Sequence, residues 1–354
     1  MVVAGNLQTN SQGRILWVDA MRGFSMFLVV LGHVFGAMGL GGYSSPISSI
    51  LLTFRMPLFF FVSGFFSFRA IAWWNKSRVT NIIKRKTQAQ ILSTIIFVTI
   101  YQFVMSESGE VRWWYTGFGR YWFTIVLFQM YICYLIISCL SQLVKFDFTI
   151  VVLVVISLFG IGMLAFGERD SWIWNFLCWE NFTKYFQFFT LGIIASKHRS
   201  YFFKLLDNSC FVTISIIGWI GCLLLWYSNS FKSMFPFAYS IVHDIVIRYC
   251  ALLTVVAMFY GKAEYFSDNS KLGKALRFVG QRTLDIYMIH YFLLPDLKFM
   301  QSWFENGNML VIQLMIALAI TICVVGLCLC VSSILRKSPY LASWLFGSKP
   351  VSSS

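Results

Sequence analysis

The sequence predicts an all-α fold, a polytopic membrane bundle of about ten transmembrane helices with an N-in/C-in orientation. Three observations carry that expectation. Of the 354 residues, 58% are hydrophobic and only 12% charged, about half the roughly 25% charged content of a soluble domain. Apolar segments recur along the chain near the ~20 residues that cross ~30 Å of hydrocarbon. Lysine and arginine fall on alternate loops, as the positive-inside rule requires.

In order, the predicted spans are 16–38, 47–68, 89–105, 120–141, 149–166, 182–196, 210–229, 238–259, 280–299 and 309–333. The first apolar run exceeds twenty residues, longer than the ~7–15 of a cleavable signal's apolar core, and is expected to stay in the membrane. With the N-terminus in the cytoplasm, 18 of the 28 basic residues lie on inner loops. Only Arg112, Arg120, Arg169 and Lys232 lie on outer ones. The net charge of +14 is therefore mainly a topology signal, with no nucleic-acid motif beside it. The expected organisation is a polar N-terminal tail (1–13), one transmembrane domain (14–338) and a cytoplasmic C-terminal tail (339–354). The nine cysteines sit mostly in apolar runs without zinc-ligand spacing, so neither a metal site nor a disulfide framework is expected.

The first span carries D-A-M-R-G-F-S-M-F-L-V-V-L-G-H-V, from Asp19 to Val34. Arg22 and His33 are eleven residues apart, within about 20° of three full turns, so they share a face about 16 Å apart along the axis. Asp19 stands three residues before Arg22 on that stripe. Ionisable groups in a membrane are costly and tend to mark substrate or proton paths. The second span adds Arg55 at a depth like that of His33, two residues before Pro57, which removes a backbone donor. After it, residues 69–86 form the most basic segment of the chain. Attraction to anionic lipid accounts for part of that, and Arg69, Lys84 and Arg85 suit a phosphate-bearing cytosolic ligand. Late in the chain, Thr283, Tyr287 and His290 form a polar stripe, and Arg282 and Asp285 repeat the i,i+3 spacing of Asp19 and Arg22. Asp244 and Arg248, next to His243, have the i,i+4 spacing of a structural pair.

Taken together, these stretches resemble the integral-membrane acyltransferase-3 family, which includes sugar O-acetyltransferases that decorate cell-surface polysaccharides. Arg22, ten residues and His33 fit its first-helix element, and F-R-M-P-L-F-F-F-V-S-G-F-F (54–66) is similar to its second-helix signature. R-Y-W-F-T-I-V-L-F (120–128) is similar to a W-F-L element. G-Q-R-T-L-D-I-Y-M-I-H (280–290) matches a G-x-x-S/T-x-x-x-Y-x-x-H pattern through Gly280, Thr283, Tyr287 and His290. The resemblance implies ten core helices, acyl-CoA as cytoplasmic co-substrate with no bound cofactor, and a glycan or lipid-linked sugar as acceptor. It carries the family's arginine and histidine to Arg22 and His33. Some relatives have two arginines three residues apart in the donor segment; here Arg69 is present and residue 72 is alanine.

The expected activity is that of a multi-pass cell-membrane O-acyltransferase. It moves an acyl group, acetyl on the resemblance, to a hydroxyl of a surface glycan or its lipid-linked precursor. His33 and Arg22 are the candidate catalytic residues, supported by Asp19, Arg55, Thr283, Tyr287 and His290. Arg69, Lys84 and Arg85 are the candidate acyl-CoA contacts. His33 suits a general base, since imidazole titrates near neutral pH, and a covalent acyl-histidine is the competing route. The same charges also suit a ten-helix transporter or flippase of a glycan precursor.

Overall fold

The computed structural model describes residues 15–70, 73–105, 110–166, 171–235, 239, 241–267, 270–305 and 309–347. The expected N-terminal tail (1–13), Ala72, Arg169 and the end of the C-terminal tail (348–354) lie outside the described residues. Those described are overwhelmingly helical, with no strand. Seven helices among them are long and apolar enough to cross a membrane.

The longer helices are α1 (Leu16–Ala37), α2 (Pro46–Ser67), α3 (Lys76–Lys86), α4 (Ser93–Met105), α5 (Trp122–Val144), α6 (Thr149–Phe166) and α7 (Trp179–Lys197). They continue with α8 (Arg199–Asp207), α9 (Ser209–Trp226), α10 (Ile247–Gly261), α11 (Lys271–Gln281), α12 (Thr283–Leu293), α13 (Leu310–Leu335) and α14 (Pro339–Phe346). A π-helical stretch, Thr87–Leu92, joins α3 to α4, so the basic, exposed α3 continues into an apolar span without a break. Another, Val242–Val246, leads into α10. π-turns of this kind absorb an extra residue in a helix.

Two predicted spans differ in detail. The sixth is a real helix, α7, but Glu180, Lys184 and Lys197 make it more polar than the others. The ninth is not one helix: α11 ends at Gln281, Arg282 leaves the helical conformation with φ −113° and ψ 19°, and α12 restarts at Thr283. At about 1.5 Å per residue, the eleven residues of α12 reach only about 16 Å. Residues 339–346 of the expected C-terminal tail form α14, which docks through Phe346 against Phe97 and through Ser343, whose carbonyl and hydroxyl accept from Gln88.

The chain forms two compact units, and α2, α12 and α13 contribute residues to both. The first unit takes the described residues of Met1–Val62, His198–Ile286 and Leu293–Gly326. Its centre is α1, most of whose residues are buried. Trp17 packs on Phe203 and Tyr260, and Phe24 on Phe259. The closest approach is between α1 and α11. A methyl group at Gly23 would overlap the backbone carbonyl of Leu276, and one at Gly280 would overlap that of Asp19. Two glycines facing two backbones is how small residues bring membrane helices together. By contrast α9 is apolar on every face and only 11% of its span is buried, the pattern of a helix that meets lipid.

The second unit takes Ser63–Lys197, Tyr287–Phe292 and the described part of Leu327–Ser354. Gly64 at the end of α2 meets the backbone of Phe189 on α7. Hydroxyl bridges tie its other helices: Thr94 to Thr124 at 2.6 Å and Ser157 to Thr190 at 3.1 Å. Such bonds suit apolar surroundings, where a hydroxyl without a partner is expensive.

Candidate active site

In the first unit, Arg22 and His33 are half-buried on an α1 that is otherwise mostly buried, while Asp19 is buried. The uninterrupted helix between them gives the three-turn spacing expected from the sequence. The guanidinium of Arg55, reaching from α2, occupies the space that a side chain at Gly32 would fill. A Cβ there would overlap that cation, so any larger residue would have to move the flexible end of the Arg55 side chain. Arg55 thus stands one residue from His33 along α1, and the two helices are locked by a charged head fitted into a glycine notch.

Thr283 and Asp285, both buried, also belong to this unit. Arg282 at the α11–α12 junction pairs with Asp285 at 3.4 Å. In the π-helical stretch before α10, Asp244 pairs with Arg248 of α10 at 3.2 Å and sits 3.2 Å from His243 Nδ1, so the Asp244 and Arg248 charges offset one another locally.

In the second unit, Tyr287 and His290 are built into a tyrosine cluster around the start of α5. The first amides of a helix have no intrahelical acceptor. The Phe123 N–H, in the first turn of α5, donates to the Tyr287 hydroxyl at 3.2 Å. That hydroxyl donates in turn to the Arg120 carbonyl at 3.0 Å. Tyr291 donates to the same carbonyl at 2.8 Å, and Tyr121 donates back to the Met288 carbonyl at 3.1 Å. His290 is fully buried, its ring 5.8 Å from that of Tyr287 and 3.9 Å from that of Tyr291. The stretch 120–123 and the stretch 287–291, distant in sequence, therefore form one hydrogen-bonded unit.

Arg69 lies just past the end of α2. Its Nη1 donates to the carbonyls of Phe66 at 3.2 Å and Phe68 at 2.8 Å, a favourable place for a cation because the last carbonyls of a helix need donors. The Tyr134 hydroxyl accepts from the Arg69 N–H at 2.8 Å and donates to its carbonyl at 3.0 Å. Further along, the Trp74 indole donates to Ser138 at 2.5 Å and Gln142 donates to the Trp74 carbonyl at 2.7 Å. Tyr134, Ser138 and Gln142 are i, i+4 and i+8 on α5, one polar stripe holding the basic segment. A cavity of about 180 Å³ beside it is lined in part by Arg69, Tyr134, Ser138, Asp147 and Lys197. Asp147 and Lys197 form an ion pair across it. Burial alone would raise the Asp147 carboxyl; hydrogen bonds from Lys197 and Thr149 outweigh it and hold the group below its ordinary range.

Lys84 and Arg85 are exposed on α3, with no hydrogen bond or ion pair to the described residues. The basic residue brought to Arg69 is instead Arg78: the two guanidinium groups lie over the same Trp73 ring, at 5.5 and 5.1 Å from its centroid. Sequence reading missed Arg78, and also the Tyr134–Ser138–Gln142 stripe, which its four-residue spacing made legible. No cluster of three or more potential metal ligands occurs among the described residues.

No match is found among curated proteins, nor among solved structures. A family model described as an acyltransferase domain matches residues 15–335, a stretch that starts at the foot of α1 and ends with α13. All four elements quoted from the sequence fall inside it, and the chain belongs to the acyltransferase-3 family of membrane acyltransferases.

Proposed function

We propose that this membrane acyltransferase takes an acyl group, acetyl by preference, from acyl-CoA on the cytoplasmic side and delivers it to a hydroxyl of a cell-surface glycan or its lipid-linked precursor. The observation that carries this reading is the first-helix stripe: Arg22 and His33 half-exposed on a buried apolar helix, with the Arg55 guanidinium set against Gly32. Three ionisable groups are kept in an apolar environment where each costs a few kcal/mol on insertion scales, which is reasonable where they serve chemistry. The charge distribution supports an N-in orientation, with Arg22 toward the cytoplasm and His33 toward the outer leaflet.

In this mechanism the His33 imidazole removes the proton from the acceptor hydroxyl as its oxygen attacks the thioester carbonyl carbon. The carbonyl oxygen becomes an oxyanion in the tetrahedral intermediate, and the Arg55 guanidinium, set against Gly32 next to His33 in the chain, receives it. Collapse re-forms the carbonyl and breaks the carbon–sulfur bond. The imidazolium returns its proton to the departing CoA thiolate. Arg22 positions the donor along the inner part of the path.

The test is transfer of radiolabelled acetyl from acetyl-CoA to extracted envelope glycan by membranes containing wild type, His33→Ala or Arg22→Ala at matched expression. Label incorporated by wild type and lost in both variants supports the assignment. Undiminished transfer by His33→Ala overturns the general base.

A further inference from the structure

We infer that Tyr43, Trp226, Tyr239 and the His243–Asp244 pair form a sugar-binding subsite for the acceptor, a reading that rests on the function proposed above. All five residues belong to the first unit. Tyr43 follows α1, whose last residue is Ala37, and Trp226 is the last residue of α9. Their rings meet edge to face with centroids 5.6 Å apart, so α1 and α9 finish at the same end of the unit. His33 lies four residues before Ala37, toward that end of α1.

Three segments converge on one imidazole. The His243 ring is 4.6 Å from that of Trp226 and perpendicular to it. It is 5.7 Å from the ring of Tyr43 and 5.8 Å, nearly parallel, from that of Tyr239. Asp244 Oδ1 lies 3.2 Å from both His243 Nδ1 and Arg248 Nη2. Arg248 is buried, which anchors Asp244, while the Asp244 side chain itself is 49% exposed. A carboxylate only accepts hydrogen bonds, so the Nδ1 proton lies between the two groups. Nε2 is the other polar atom of the ring, on a side chain that keeps 18% of its surface exposed. Tyr43 is 63% exposed.

Aromatic faces beside a histidine and a carboxylate suit a ligand that is apolar on its faces and lined with hydroxyls at its edge. A pyranose has that character: its C–H groups pack on a ring, and its hydroxyls donate to Asp244 and bond to Nε2. Aromatic walls with a few placed polar groups are the usual make-up of a small-ligand site. A lipid chain would use the rings and leave the His243–Asp244 pair without a role, and an anionic headgroup would meet the Asp244 carboxylate. Tyrosine and tryptophan also gather in interfacial belts, but a belt needs neither a shared imidazole nor a carboxylate tied to a buried arginine.

The experiment uses the full chain in phosphatidylcholine nanodiscs, as wild type, Tyr43→Ala, Tyr43→Phe and His243→Ala, with melting temperature checked for each. Binding of fluorescently labelled oligosaccharides released from the envelope glycan is read by anisotropy. Acetyl transfer is measured against glycan and against acetyl-CoA concentration. Tyr43→Ala should weaken oligosaccharide binding and raise the KM for glycan by about three- to tenfold, the scale of an aromatic contact, with the KM for acetyl-CoA as in wild type. Tyr43→Phe, which keeps the ring face, should restore both. His243→Ala should weaken binding by about tenfold, the scale of a lost hydrogen bond. Oligosaccharide binding that depends on Tyr43, without acetyl transfer by wild type, keeps the subsite and removes the acetyl-transfer reading. Wild-type binding and KM in folded Tyr43→Ala overturn the subsite and leave the acyltransferase function standing. Absence of both binding and transfer in wild type overturns the two together.

Discussion

The guanidinium of Arg55 lies where the side chain of residue 32 would be, one position before His33 on α1. Helix packing and the placement of a cation beside the candidate base are therefore one feature. Gly32→Ala should displace Arg55 and lower acyl transfer tenfold or more. Stability should change little, because the atoms that must move are the flexible end of the Arg55 side chain. Gly36→Ala, where a methyl group meets nothing within 4 Å, should keep both activity and melting temperature. Equal behaviour of the two variants in transfer assays would separate Arg55 from the chemistry.

The contact of α1 with α11 has no flexible side chain to yield. Gly23 and Gly280 each face a backbone carbonyl, so an alanine at either position must push the helices apart. Gly280→Ala is expected to lower stability by about 1–3 kcal/mol, read as a drop in melting temperature by fluorescence-detected size exclusion. Because Asp19 and Gly23 flank Arg22 on the same helix, transfer activity should fall with it. A variant as stable as wild type would mean that the backbones part without cost.

Tyr287→Phe keeps the ring and removes the hydroxyl that caps Phe123 and reaches Arg120. Leaving a buried amide without its acceptor costs about 1–3 kcal/mol. Tyr291→Phe should cost less, since the Arg120 carbonyl retains Tyr287. Comparing the two by thermal unfolding tests that order, and the reverse order would refute the cap.

Asp147 titrates below its ordinary range through hydrogen bonds from Lys197 and Thr149 that outweigh burial. A carboxylate with a lowered folded-state pKa adds stability above its unfolded value, about 3.9, and that stability is lost as pH falls through the folded value. With side chains 36% and 27% exposed, the pair is worth about 0–1 kcal/mol. Asp147→Asn should therefore be slightly less stable than wild type at pH 7, and the two should converge as the pH drops below 4. A gap that persists at low pH would assign the effect to packing.

Local sequence determined much of this protein. The length of each apolar run is set by the energy of burying it in lipid, which hardly depends on the neighbouring helix. That is why nine of the ten expected spans coincide with helices, α6 at its predicted limits and α1, α2 and α13 within two residues of theirs. Spacing along a single helix is equally legible: Asp244 meets Arg248, and Arg282 meets Asp285, as i,i+4 and i,i+3 geometry requires. The three-turn alignment of Arg22 and His33 follows from α1 being continuous.

Lateral choices were decided only in three dimensions. Hydropathy does not distinguish one 20-residue span from two shorter helices, and the break at Arg282 accompanies α11 lying backbone to backbone on α1. Nothing in the order of the chain says that residues 120–123 will be capped by Tyr287, or that Arg78 will share Trp73 with Arg69. Lys84 and Arg85 looked equally suitable because charge counting has no direction. Which cation reaches a given ring depends on where Asn75 starts α3 and how Tyr134, Ser138 and Gln142 hold the segment before it. Those are contacts between segments far apart in sequence, and only packing selects them.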